Sequence, residues 1–392
     1  MAGRRIVLGV TGGIAAYKAL ELARLLRGEG VELRPVMTRA ATEFITPLSL
    51  ATLAGNPVLT GLFESAEGAA INHIELAESA DLIVIAPATA NVIGKIACGI
   101  ADDLLTTVVM ASKAPVLFAP AMNHRMYENP IVEANVGRLE GLGYRFVGPA
   151  EGELACGYEG RGRLAPVEDI MDAVFECLSV KDLAGEKVLV TAGATREMID
   201  PVRFISNASS GKMGFALARA AKRRGAEVVL VSGPTALARP HGIDLVGVTT
   251  AEEMYDACVS FFPQSTVVVM AAAVSDYRPV KTHARKVKKD RPRLELELER
   301  TKDILKELAA RKKRDQTLVG FALETEDHVE RALEKLREKS LDLVVANSPS
   351  GISSDTNEVT IIDRRGGQTR LEPMNKFDVA DRIFDEVARL RR

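Results

Sequence analysis

The chain of 392 residues has no tryptophan, only four cysteines and five histidines, and an aromatic content of 5%. Cys98, Cys156, Cys177 and Cys258 are widely scattered, with no CxxC pair. That argues against a disulfide framework or a thiolate zinc site and points to a reducing cytoplasm. Neither sign of charge dominates, since 51 basic residues face 53 acidic ones. No global attraction to nucleic acid or anionic membrane is expected. Long apolar runs are missing too, and no segment approaches membrane-spanning length. The N-terminal "MAGRRIVLGVTGG" breaks at its glycines, too early for a signal segment, and reads as a first buried strand. Nucleotide fingerprints are absent from both halves. There is no GxGxxG, and "SSGKMG" lacks the earlier glycine of a Walker A loop and has Met213 where Ser or Thr belongs. A nicotinamide-linked oxidoreductase and a plain P-loop ATPase are therefore disfavoured.

What is present is a repeated βα pattern, on a chain long enough for two or three domains. "RRIVLGV" is followed by "AAYKALELARLLRGEG", apolar at helical spacing and stopped by glycine. "DLIVIAP" and "APVLFAP" are near-continuous apolar runs ending in proline, as parallel strands covered on both faces are. The pattern restarts at "EKVLVTAGAT" and continues through "EVVLVSGP", "TVVVMAAAV", "TLVGFAL" and "LDLVVAN". The polar "SVKDLAGEK" (179 to 187) marks the boundary. The expected fold is α/β, with two tandem Rossmann-like domains, 1–180 and 181–392, and mainly parallel sheets. Ligands in such sheets sit beyond the carboxyl ends of strands.

In the first half, Gly12 and Gly13 of "VTGGIAAYKA" suit either a tight βα turn or a phosphate at a helix N-terminus. Thr38 ends the next strand as a second phosphate contact. "APATAN" would let a flat ring approach the backbone, and Asp102 and Asp103 stand where helix caps also stand. Asn123 follows the next strand, as a carboxylate-binding amide or a turn residue. His73 precedes an amphipathic helix. Cys156 lies in "GELACGYEGRGRL", a glycine-rich stretch that reads as a mobile loop with little to pack against.

"TGGIAAYK", "NHIEL", "APATANVIGKIACGIADDLL", "PAMNHRMYENP" and "ACGYEGRGR", in this order, resemble the flavin-containing cysteine decarboxylases, specifically the phosphopantothenoylcysteine decarboxylases. The resemblance implies an FMN enzyme that oxidises the substrate thiol to a thioaldehyde, loses CO2 and then reduces the enethiol. By resemblance His73 is the base near the thiol, Asn123 holds the cysteinyl carboxylate and Cys156 donates the final proton. Gly12, Gly13, Ile14, Thr38, Ala88, Thr89, Asn91 and Asp102 would contact FMN. The glycines around Cys156 would then serve a closing lid.

In the second half, "DPVRFISNASSGKMG", "MAAAVSDYRP", "KVKK", "GFALETE", "LDLVVAN" and "SSDTNEVTIID" are similar to the phosphopantothenate–cysteine ligases. The implied chemistry is attack of the phosphopantothenate carboxylate on the α-phosphate of CTP, then displacement of CMP by the cysteine amine. By resemblance Asn207 binds the acyl intermediate with Arg203 nearby, and Lys286 stabilises the α-phosphate charge. Ala272, Asp276, Phe321, Lys335 and Lys339 would contact the nucleotide, with Mg2+ carried by the triphosphate and met by Asp276. A base-side contact by Lys302, Asp303, Ile304 and Leu305 is expected, although "TKDIL" departs from the family's Asn-Pro-Asp-Ile. The basic run "ARKVKKDRPR" has no interleaved aromatics, so nucleic acid is a poor partner for it. "RLELELE" alternates and reads as a strand with one solvated face. Small-molecule substrates, no nucleic acid, no membrane, and a dodecamer built from decarboxylase trimers and ligase dimers complete what the resemblance implies. A non-catalytic flavoprotein and a peptidyl-cysteine decarboxylase are the competing readings.

Overall fold

In a computed structural model, which describes residues 3–62, 72–153, 157, 159–288, 294–323, 328–347 and 354–391, the β-branched runs form two separate sheets. The chain divides into two compact units, Met1–Ser179 and Val180–Arg392.

The first unit carries β1 (Arg5–Val10), β2 (Glu32–Met37), β3 (Leu82–Ala88), β4 (Val116–Pro120) and β5 (Arg145–Phe146). They form a parallel sheet in the order β2-β1-β3-β4-β5. All seven residues of β3 and all five of β4 are buried, because helices cover both faces. The helix Tyr17–Gly28 turns Ala19, Leu22, Ala23 and Leu26 inward at 3.6-residue spacing. One apolar cluster contains Leu8, Leu22 and Leu117, and a second contains Ile83, Ile93 and Phe118. Strand order reverses between β1 and β3, so a crevice opens beyond their carboxyl ends.

The Cys156 stretch differs from expectation. Cys156 itself lies outside the described residues, but its flanks are paired strands rather than an irregular loop. β6 (Ala150–Glu153) and β7 (Glu159–Arg163) form an antiparallel hairpin. The glycines there permit close packing. A Cβ at Gly162 would stand 2.3 Å from the Met122 carbonyl oxygen, and that contact is instead a hydrogen bond from the Met122 N–H to the Gly162 carbonyl, 2.9 Å long.

The second unit carries β8 (Lys187–Ala192), β9 (Arg196–Met198), β10 (Phe204–Ser206), β11 (Glu227–Ser232), β12 (Asp244–Gly247), β13 (Val267–Met270), β14 (Tyr277–Pro279), β15 (Leu298–Arg300), β16 (Thr317–Leu323), β17 (Leu343–Asn347), β18 (Thr356–Asp363) and β19 (Gln368–Asn375). Eight of them make one sheet, β12-β11-β8-β13-β16-β17-β18-β19, parallel except for the last two strands. The helices Lys212–Arg223 and Lys376–Arg391 cover one face through Leu217, Ala221, Ile383 and Phe384. Met254, Leu308 and Leu336 belong to the cluster on the other. Here order reverses between β8 and β13.

"RLELELE" also departs from expectation. Only Leu298–Arg300 is strand, paired with β14 in a two-stranded ribbon. Leu294 and Leu298 are 51% and 42% exposed, so the described residues leave these apolar side chains largely uncovered. Among the described residues no helix is long and apolar enough to cross a membrane.

Candidate active sites at the two switch points

The crevice between β1 and β3 is a cavity of about 1200 Å³, roomy enough for a cofactor-sized ligand with a substrate beside it. Thr11, at the end of β1, forms its floor. The Thr11 hydroxyl donates to the Pro87 carbonyl at 2.7 Å and accepts the Thr89 N–H at 3.1 Å. Thr89 in turn caps the helix Ala90–Ala97. Of the residues singled out in the sequence, Gly12, Gly13, Ile14, Thr38, Thr89, Asn91 and Asn123 line this cavity. Asn123 caps the short helix His124–Tyr127 through its Oδ1, which accepts the Arg125 N–H at 2.9 Å. Gly157, next to Cys156, lines it as well.

Three expected residues stand elsewhere. Ala88 is fully buried in β3 and is not on the wall. Asp102 turns away to an ion pair with Lys95 at 2.7 Å, and its neighbour Asp103 lines the cavity while capping the helix Leu104–Ala111. His73, on the helix Asn72–Ser79, is absent from the wall of its own chain's cavity, and its buried Nδ1 has no partner among the described residues. Sequence reasoning passed over Thr11, Lys18, Arg39, Lys95 and Arg163, which also line the cavity. Lys18 was legible as the last residue of "TGGIAAYK". Arg163 was legible in the same way, as the last residue of "ACGYEGRGR".

The wall fits a flavin nucleotide. A Cβ on Gly13 would meet only Thr89 Cγ2, at 3.8 Å, so its absence leaves open space beside the N–H groups that open the Ile14–Ala16 turn and the Tyr17–Gly28 helix. The buried Thr38 hydroxyl oxygen has no partner among the described residues and faces the need for one.

In the second unit the Asp200 carboxylate organises the site. It is fully buried. Its Oδ1 accepts the Val202 and Arg203 N–H groups, both at 2.9 Å. Its Oδ2 accepts Arg203 Nε at 2.9 Å, Arg203 Nη2 at 2.6 Å and the Val287 N–H at 3.2 Å. Arg203 Nη2 also donates to the Val287 carbonyl at 2.8 Å. Burial alone would raise this carboxyl, but the Arg203 guanidinium and the three N–H groups hold it well below the usual carboxylate range. Arg203 is thus engaged in fastening the segment that carries the exposed Lys286 to the β9–β10 turn. Asn207 follows β10 and donates through Nδ2 to the carbonyls of Ala273 at 3.2 Å and Val274 at 3.1 Å.

The expected nucleotide residues are distributed over several elements of this unit. The Ala272 N–H donates to Thr191 Oγ1 at 3.1 Å, and the Asp276 carbonyl accepts the Thr301 N–H at 2.9 Å. Lys335 Nζ donates to the Phe321 carbonyl at 2.6 Å, and Lys339 pairs with Asp303 at 2.9 Å. Burial pushes Asp303 up, but the Lys306 N–H and the Lys339 ammonium outweigh it and hold the carboxyl down. "TKDIL" divides. Lys302 pairs with Glu252 and lies 4.4 Å over the Tyr255 ring, while Ile304 and Leu305 are buried in the core. Asp303 is the side chain of the four that joins the Lys339 cluster; Ile304 and Leu305 present only main chain.

Residues 1–179 match the Flavoprotein family model, and residues 183–390 match that of the DNA/pantothenate metabolism flavoprotein C-terminal domain. The chain is 46% identical to the coenzyme A biosynthesis bifunctional protein CoaBC of Bacillus subtilis, over 99% of this chain and 97% of that one. It is 45% identical to the protein of the same name from Escherichia coli, again over 99% and 97%. The corresponding Borreliella burgdorferi protein is 39% identical, over 97% and 98%. The chain belongs to the CoaBC family. In a CoaBC chain the glycine turn of the first unit lies in the flavoprotein domain, and the Asp200 cluster lies in the other.

Proposed function

We propose that this chain is a bifunctional coenzyme A biosynthesis enzyme. Its second unit, 181–392, ligates cysteine to 4′-phosphopantothenate at the expense of CTP, and its first, 1–180, decarboxylates the product to 4′-phosphopantetheine with FMN. The observation that carries the reading is the cavity at the β1/β3 switch point, lined by Asn123 and Gly157 together with the glycine turn. FMN, when bound, supplies a two-electron acceptor that later returns the same electrons. Gly12, Gly13, Ile14, Thr38, Thr89 and Asn91 would hold it.

The protein's own groups do the rest. The Asn123 amide donates to the cysteinyl carboxylate and orients it for loss as CO2. His73 takes the thiol proton; because it is off the wall of its own chain's cavity, it serves the cavity of a neighbouring subunit, in keeping with decarboxylase trimers. Cys156, beside the wall residue Gly157, returns a proton to carbon once the enethiol forms, as a thiol can near neutral pH.

A carboxylate is not amidated directly at neutral pH, so the ligase step runs through an acyl-cytidylate. Lys286 meets the charge developing on the α-phosphate, and the Asp200–Arg203 fastening supports its position. Asn207, held at the Ala273 and Val274 carbonyls, faces the acyl intermediate during attack by the amine. Asp303, Lys335 and Lys339 serve the nucleotide. Mg2+ arrives with the triphosphate, and the exposed Asp276 is a suitable oxygen ligand for it. The working assembly is a cytoplasmic dodecamer that satisfies both trimeric and dimeric contacts.

The test is purified protein incubated with phosphopantothenate, cysteine, Mg2+ and either CTP or ATP, with products followed by mass spectrometry. Yellow protein yielding CMP, CO2 and phosphopantetheine is the expected result. Yellow protein that makes nothing would instead favour a non-catalytic flavoprotein.

A further inference from the structure

The first-unit cavity has a cationic feature that the roles above leave unused. Lys18 stands on the first turn of the helix Tyr17–Gly28, and Arg163 closes β7; both line the cavity, and Arg39 joins them from the turn after β2. Three elements thus bring like charges to the lining of one cavity, and Lys18 and Arg163 are close enough to act on each other. Lys95, a fourth cation on the wall, is neutralised by Asp102 at 2.7 Å and Asp103 at 3.5 Å. Among the described residues neither Lys18 nor Arg163 has a carboxylate within ion-pair distance. Burial and the Arg163 guanidinium lower the basicity of Lys18, while Glu21 and Glu168 oppose them from further away. Lys18 is half-buried and Arg163 exposed, so solvent screens their mutual repulsion in part, and an anion that joined both would relieve the rest.

A second consideration points to the class of anion. On the functional reading above, on which this inference rests, cofactor and substrate each bring a phosphomonoester into one cavity, each carrying about −1.5 to −2 charges at pH 7. The glycine turn and the Thr38 hydroxyl offer only neutral donors, enough for one such group at a helix N-terminus. The other needs positive side chains. We propose that Lys18 and Arg163, assisted by Arg39, form a phosphomonoester site on the cavity wall. Arg163 offers a planar fork to two oxygens, and Lys18 offers a point charge. Seated there, the 4′-phosphate of the substrate would measure the distance to the thiol and let the enzyme prefer phosphorylated substrates. The FMN phosphate is the other source of the same chemistry.

The experiment uses the full chain with Lys18→Gln, Arg163→Gln and the charge-preserving Lys18→Arg. KM and kcat are measured for phosphopantothenoylcysteine and for its dephosphorylated analogue, and Kd for FMN and for riboflavin on deflavinated protein. With the substrate as the source, Lys18→Gln and Arg163→Gln raise KM for the phosphorylated compound at least tenfold, closing its gap from the analogue, and Lys18→Arg restores most of it. With the cofactor as the source, the gap that closes is the one between FMN and riboflavin, and the site stands. If both gaps keep their wild-type size, the proposal is overturned. Should wild-type protein turn over neither substrate, the functional reading falls on its own. The site is then judged with inorganic phosphate, whose protection of Lys18 from acetylation supports it and whose failure to protect overturns it.

Discussion

Replacing Gly12 by alanine tests how the flavin turn is built. A Cβ there would lie 2.4 Å from Ala40 Cβ and 2.8 Å from the Ala40 carbonyl carbon and oxygen. Ordinary contact begins near 3.4 Å, so either the turn or the segment after β2 must move by about an ångström. Main chain lies on both sides, and no flexible side chain can absorb the shift. Overpacking of this kind costs about 1–3 kcal/mol. The cheapest relief is displacement of the turn itself, and the cost then falls on ligand binding. At roughly 1.4 kcal/mol per tenfold, the expected loss of FMN affinity is about 5- to 150-fold. Gly13→Ala is the companion variant. It has room in the ligand-free turn, with an extended φ of −170° and no contact closer than 3.8 Å. It should leave thermal stability alone and weaken FMN only through direct encroachment. The assay is titration of deflavinated protein with FMN by flavin absorbance, with CTP-dependent pyrophosphate release as an internal check on the second unit. Gly12→Ala protein that binds FMN as tightly as wild type would refute the reasoning, because the turn would then have tolerated an ångström of movement.

Other outcomes follow from the second unit. Asp200→Asn should slow pyrophosphate release and acyl transfer together, since one carboxylate fastens both the Arg203 turn and the Lys286 segment; loss of only one half-reaction would dissociate them. The folded value of Asp200 lies below its unfolded value of about 3.9. Its contribution to stability is therefore complete above that range and is lost as pH falls through the depressed folded value. Circular dichroism and tyrosine fluorescence of the second unit should hold through mild acid, and an Asp200→Asn protein should lack this acid-dependent component. Asn207→Asp should accumulate acyl-cytidylate, detectable by mass spectrometry of quenched reactions, and normal turnover with no trapped intermediate would remove Asn207 from the second step. Cys258 is fully buried, and burial pushes its thiol up to about 12. Peptide mapping after maleimide treatment at pH 8 should find it unmodified while the exposed Cys98 reacts, and rapid labelling of both would contradict the packing around β13.

Much of this molecule is readable from its residues, for a definable reason. Runs such as "DLIVIAP" and "TVVVM" are strands because parallel sheets covered on both faces bury every side chain, and the apolar run records that directly. The helix after the glycine turn was legible from its 3.6-residue spacing. Reading failed where tertiary contact overrides local preference. The β6–β7 hairpin is glycine-rich because its backbone meets the Met122 carbonyl, and glycine hides strand character while allowing that approach. "RLELELE" has perfect alternation and, among its described residues, no fully buried side chain, because periodicity announces a preference that only a neighbouring layer can satisfy. Among the candidate site residues, Gly12, Gly13, Thr38 and Asn123 stood out from position on strand-end turns, and their roles came from the family resemblance. Asp200 was not. Within "DPVRF" it looks like an ordinary turn residue, and its reach to Val287, 87 positions along the chain, has no local signature.

The apolar clusters of Met1–Ser179 and Val180–Arg392 have no residue in common. Each sheet is finished by its own helices, so folding does not require the two to be joined. What covalent linkage does impose is stoichiometry. Every ribosome that completes one copy of the first unit also completes one copy of the second, and the ratio stays at one to one whatever the level of expression. For two consecutive reactions, a fixed ratio keeps production and consumption of the shared intermediate in step without a separate means of balancing them.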